Sequence, residues 1–180
     1  EIRIIIFLFL LCFMFGIEEI DKPFFFILTN IDNTIQEGPT GAILRDLPSP
    51  YQPHPLGLLH LPRFIAKIRK YLKNELPKSY QRNFTKGFDG FLCLHLEINP
   101  QDVIECVKNA VSEQELDGQL KELFPAELNA HVWNRKVVQM GMSDMAFEKL
   151  EEVKSALGAE KRSDLRSFAD VIEFDEGRIE

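Results

Sequence analysis

The chain has 180 residues, room for one domain with its own core and little more. Its apolar content of 45% and charged content of 27% are those of an ordinary globular protein. A formal net charge of -7 argues against non-specific nucleic-acid binding by the domain as a whole. That charge is unevenly spread. Residues 61–90 carry eight Lys or Arg against Glu75 and Asp89, whereas from Phe91 onward 19 acids face 10 bases.

Residues 1–41 read as an apolar leader distinct from the domain. Ile4 to Phe15 is an unbroken apolar run, too short for a membrane span of about 20 residues. It falls within the length of a signal-peptide apolar region, with Arg3 as its positive charge, but Phe15-Gly16-Ile17-Glu18 offers no small-x-small cleavage site. Three readings follow: export through residues 3–17, an uncleaved membrane tether, or upstream translation of AT-rich sequence. The third is preferred, because Cys12, Cys93 and Cys106 form no even framework and no CxxC pair. A Cys93–Cys106 disulfide is conceivable, but free thiols in a cytoplasmic setting are the better expectation.

Pro48, Pro50, Pro53 and Pro55 then predict an extended arm over residues 47–56. Pro62 suits the first position of a helix. Phe64, Ile65, Ile68, Tyr71, Leu72 and Leu76 recur on one arc, Pro77 stops the run, and Arg63, Lys67, Arg69, Lys70 and Lys73 fall on the opposite side. Residues 79–90 read as irregular, with Asp89 capping a short helix over 90–96. Asn99-Pro100 starts the next helix, and Ser112-Glu113-Gln114-Glu115 fits a capping box before another. Pro125 opens a helix with Trp133, Val137 and Met140 on one stripe. Ser143 begins one that turns Phe147, Leu150, Val153 and Leu157 inward, and a last short helix runs from Asp164. The fold class is therefore all-α, a compact bundle of about six short to medium helices behind a Pro-rich arm, forming a single domain over 42–180.

The chain from about Ile43 to Ile179 resembles a bacterial family known as domain-of-unknown-function family 5069. Leu44-Arg45-Asp46-Leu47-Pro48-Ser49-Pro50, the segment His60 to Arg69, Asn83-Phe84-Thr85-Lys86-Gly87-Phe88-Asp89-Gly90, and Asp175-Glu176-Gly177-Arg178 carry the likeness. The family usually has Asp where this chain has Ala66. The resemblance implies no activity, ligand or catalytic residue.

Among candidate sites, Arg63, Lys67 and Lys70, with Arg82 and Lys86, could hold an anionic ligand, Arg63 best of all through its bidentate fork. The plainer reading is a solvated helix face. His60, Asp89 and Asp175 are the one acid–base set that can be assembled, although a histidine before a helix is more often a packing residue and Asp89 is accounted for by its turn. Trp133 and Asn134 could line a pocket; the plainer alternative is a core tryptophan. Cys93 and His95 read as packing. His54, His60, His95 and His131 show no metal-ligand spacing, so neither metal nor cofactor is expected. GxSxG, GxxxxGK, HExxH and GxGxxG are all missing, which removes the commonest enzyme classes.

The leading expectation is a cytoplasmic binding or interaction module offering the first helix and residues 83–90 to an anionic small molecule or a protein, with nucleic acid and membrane disfavoured. The rival is a small enzyme using His60 and Asp89, with Arg63 holding the substrate. The third is an exported or membrane-tethered domain.

Overall fold

The computed structural model describes residues 35–179. The long apolar run and Cys12 lie outside them. Two short strands come first, β1 (Ile35–Gly38) and β2 (Gly41–Leu44), antiparallel with Ile35 opposite Leu44 and Gly38 opposite Gly41. The hairpin thus begins inside the stretch that the sequence attributes to the leader. Gly41 holds φ +116°, and a Cβ there would stand 3.1 Å from that of Ser79, so the turn requires glycine. Ser79 in turn donates to the Ala42 carbonyl at 2.8 Å, and the Leu44 amide donates to the Tyr80 hydroxyl at 3.0 Å. Residues 45–60 contain no helix, and a single bridge pairs Pro53 with Leu59. Leu47 and Leu58 are buried from this segment.

Helix α1 (Leu61–Leu72) starts with proline in its first turn. It ends where Asn74 turns left-handed and the Glu75 amide reaches back to the Lys70 carbonyl at 2.8 Å, a Schellman closure that precedes Pro77. Phe64, Ile65, Ile68 and Leu76 are buried as the spacing predicts, and Leu61 joins them. Tyr71 and Leu72 are not: they lie in the last turn and are 45% and 40% exposed. The Tyr71 ring instead rests on Phe84, with centroids 4.7 Å apart.

A four-residue helix α2 (Lys78–Gln81) and the start of α3 (Gly87–His95) occupy the stretch expected to be irregular. Helix α4 (Pro100–Asn109) is capped by the Asn99 side chain on the Gln101 amide, and α5 (Glu113–Leu123) by Ser112 on the Glu115 amide. Helix α6 (Ala130–Gln139) begins five residues after Pro125, since Asn129 at φ 46° breaks the path between them. Helix α7 spans Asp144–Ala156. The last, α8 (Phe168–Asp175), begins later than Asp164 because a reciprocal capping box between Ser167 and Asp170 sets its first turn.

The fold class is therefore as expected, eight helices and one small hairpin among the described residues. Trp133, Phe64, Ile68, Leu92 and Leu120 anchor the main core, and α1 packs against α3 and α4. A smaller cluster of Leu150, Ala159, Leu165 and Val171 joins α7 to α8. Cys93 and Cys106 are both free thiols. No helix among the described residues is long and apolar enough to cross a membrane.

Candidate functional site

Arg63, Lys67 and Lys70 follow one another at four and three residues, so they form a stripe along α1. The first two of them point inward, only 3% and 7% exposed, flanking Phe64 and Ile68. This corrects the expectation that they face water. A buried cation needs a paired carboxylate, and each finds one from a distant part of the chain.

Lys67 meets Asp89. Its Nζ lies 2.6 Å from both carboxylate oxygens. His60 Nε2 stands 2.8 Å from Oδ1 and the Thr85 amide donates to Oδ2 at 3.2 Å. Asp89 is thus no free helix cap but the fully buried centre of a network in the first turn of α3. Burial alone would raise its carboxyl, but the Lys67 ammonium and the His60 hydrogen bond outweigh that and hold it below the usual range. Burial pushes the Lys67 ammonium down, against the pull of Asp89.

Burial also drives His60 down to about 4, with Asp89 opposing, so the imidazole is neutral near pH 7. An ionised carboxylate only accepts, so Nε2 carries the imidazole proton. Nδ1 is then a bare acceptor, buried and without a hydrogen-bond partner. The ring packs on Phe88, centroids 5.2 Å apart. Two residues that touch Asp89 also hold left-handed backbone, His60 at φ 68° and Thr85 at φ 60°. For a β-branched residue such as Thr85 this is an outlier that costs on the order of 1–3 kcal/mol.

Arg63 meets Glu176. Its NH1 donates to Oε2 at 2.8 Å and to the Pro48 carbonyl at 3.0 Å, and NH2 donates to Oε1. Tyr80 adds its hydroxyl to Oε1 at 2.7 Å, and Arg178 NH2 reaches Oε2. Arg178 also donates to the Leu47 carbonyl at 3.2 Å and to Glu173 at 2.7 Å. One carboxylate therefore binds α1, α2 and the end of the described chain, and its two arginine partners carry that hold to the proline-rich segment. Burial would raise Glu176, but Arg63 holds it below the ordinary range.

The chain matches the family described as domain of unknown function (DUF5069) over residues 47–178. It belongs to that family. No curated protein matches it. In this DUF5069 domain, the segments that carry the resemblance in sequence are the ones that meet here: 47–48, 60–67, 85–89 and 176–178.

The remaining candidates fall elsewhere. Asp175 accepts a hydrogen bond from Thr40 Oγ1 at 3.1 Å and is no partner of His60 or Asp89; burial raises its carboxyl. Lys70 pairs with Asp46 at 2.6 Å, and Arg82 and Lys86 are exposed. Trp133 is fully buried and donates Nε1–H to the Leu59 carbonyl at 2.8 Å. Asn134 accepts from the Leu59 amide at 2.9 Å and donates to the Gly57 carbonyl at 2.9 Å. Both fasten the loop before α1 to α6. Glu176, Tyr80 and Arg178 escaped sequence reasoning, although Glu176 and Arg178 lie in the closing motif of the resemblance.

Chemically, the Asp89 group holds a charged pair and a neutral imidazole in fixed positions. His60 is 1% exposed and Asp89 is fully covered, so proton exchange with an outside molecule requires local opening. Among the described residues, no group of three or more His, Cys, Asp or Glu side chains is placed to hold a metal ion.

Proposed function

We propose that this domain is a cytoplasmic binding module for an anionic ligand or partner, and that the networks around Asp89 and Glu176 are its scaffold. One observation supports the scaffold role most: the strongest acid–base and anion-gripping groups, His60, Lys67, Asp89 and Arg63, are buried and engaged with one another or with Glu176. The first helix consequently offers little to a ligand, since Lys70 and Arg69 are paired with Asp46 and Glu113. The available cations are instead surface side chains such as Arg82 and Lys86. Free Cys93 and Cys106 favour a reducing compartment.

Thermal-shift screening against phosphorylated and carboxylated small molecules tests the reading. A ligand at 100 times its dissociation constant stabilises the fold by about 2.7 kcal/mol. Such a response supports it; no response to any anion, together with no protein partner, overturns it.

A second reading, a small enzyme, is favoured by the bare Nδ1 of His60 and the left-handed backbone at His60 and Thr85, because strain of this kind gathers at active sites. On that reading, His60→Asn abolishes turnover in a hydrolase and transferase panel while the fold persists. On the first, the same change alters stability alone.

A further inference from the structure

Well away in sequence from the Asp89 network, a cleft of about 440 Å³ opens between α7 and residues 160–166. Its size is that of a small-molecule site, roughly 300–1,000 Å³. Leu150 and Leu165 form a closed apolar floor, 2% and 1% exposed. Above it stand Met142 and Phe147, 40% and 52% exposed. Phe147 lies one turn before Leu150 on a helix whose pattern predicts it to be inside, so an apolar surface is left uncovered there.

The charges at this cleft do not cancel. Lys154 is 5% exposed, yet the one carboxylate its ammonium meets is Glu151, at 2.7 Å. An ammonium has three N–H groups, and only one is used. Glu160 already accepts from the Ser155 hydroxyl at 3.1 Å. Lys161 and Arg166 also line the cleft and form no ion pair among the described residues. Among the lining side chains three cations face two carboxylates, and the neighbouring Asp164, which feels the Lys154 ammonium, is itself paired with Arg162 at 2.7 Å, so a surplus of one positive charge remains.

We propose that this cleft binds a free monocarboxylate with an extended apolar body, of the medium-chain fatty-acid kind. Its carboxylate takes the spare Lys154 donors and Arg166, and its chain covers Phe147 and Met142. A single negative charge matches the surplus, and the four apolar side chains ask for a hydrocarbon body rather than a phosphorylated sugar. The inference rests on the binding-module reading and supplies its ligand class.

The test is titration of 15N-labelled protein with decanoate, decanol and decylamine, each below its micelle concentration, with NMR shifts as readout. Decanoate is expected to perturb the amides of Phe147, Lys154 and Leu165, with decanol and decylamine about tenfold weaker or more. Arg166→Glu and the exposed Phe147→Asp are each expected to weaken decanoate at least about tenfold while the rest of the spectrum stays native. Equal binding of decanol, shifts confined to another surface, or indifference to both substitutions overturns the proposal. So does binding to anionic phospholipid vesicles without a response to monomeric decanoate. If decanoate fails while another anion in the thermal-shift panel stabilises the protein, or a protein partner binds it, the cleft assignment falls and the binding-module reading stands; if every anion fails and no protein partner binds, both fall.

Discussion

Arg63 and Lys67 stand one helical turn apart on α1, yet they reach carboxylates contributed by two widely separated elements. Arg63 takes Glu176 near the end of the described chain, and Lys67 takes Asp89 in α3. At Glu176 two guanidinium groups and a phenol share the oxygens. At Asp89 a point-charge ammonium is joined by a titratable imidazole whose second nitrogen is unmet, on backbone that turns left-handed twice. The first is a permanent clamp, since arginine stays charged at any ordinary pH. The second is where protons can enter the fold.

The largest break in that comparison comes from Asp89→Ala. It strands Lys67 in the interior and leaves the Thr85 amide unpaired, a loss of roughly 3–5 kcal/mol in urea unfolding. Next comes acid. His60 titrates near 4 in the folded chain against 6.5 ordinarily, so the unfolded chain takes up the proton first. Stability present above pH 6.5 is therefore lost as pH falls toward 4, by on the order of 3 kcal/mol. The depressed Asp89 carboxyl adds loss in the same direction below its ordinary 3.8. His60→Gln is expected to remove most of the slope between pH 6.5 and 4 in a stability–pH series.

Glu176→Gln is expected to cost slightly less, about 3 kcal/mol: the new amide nitrogen faces a guanidinium donor and Arg63 loses its carboxylate, but Arg63 keeps the Pro48 carbonyl and the amide oxygen still accepts. The acid slope between pH 6.5 and 4 should be unchanged, which separates the two networks. Trp133→Phe loses the bond to the Leu59 carbonyl and some volume, about 1–2 kcal/mol. Arg82→Ala is expected to stay within about 0.5 kcal/mol, as for surface positions generally.

Much of the helical architecture was legible because its signals are local. Pro62, Asn99-Pro100, Ser112 and Ser143 mark helix starts that the fold keeps. Pro125 misled, since a proline permits a start without requiring one, and the left-handed Asn129 decided the matter. Within α1 the apolar arc was readable for Phe64 to Ile68, but the direction of Arg63 and Lys67 was not. Periodicity assigns any cation to water, and the carboxylates that reverse this lie 113 and 22 residues away. One hint was present: Arg63 and Lys67 are four residues apart, like the Phe64–Ile68 pair they flank. His60 and Asp89 were paired from residue type alone, and they do touch. Asp175 was grouped with them on the same basis and does not, because its neighbour Glu176 is the residue that turns inward.

A double-mutant cycle of Lys67→Met and Asp89→Asn, followed by chemical denaturation, tests most directly whether the inward ion pair holds the domain together. Each single change should cost several kcal/mol and the pair together far less than their sum, a coupling of about 2 kcal/mol or more. Losses that simply add, within about 0.5 kcal/mol, would mean that the two charges do not sustain one another and that α1 is held by its apolar face alone.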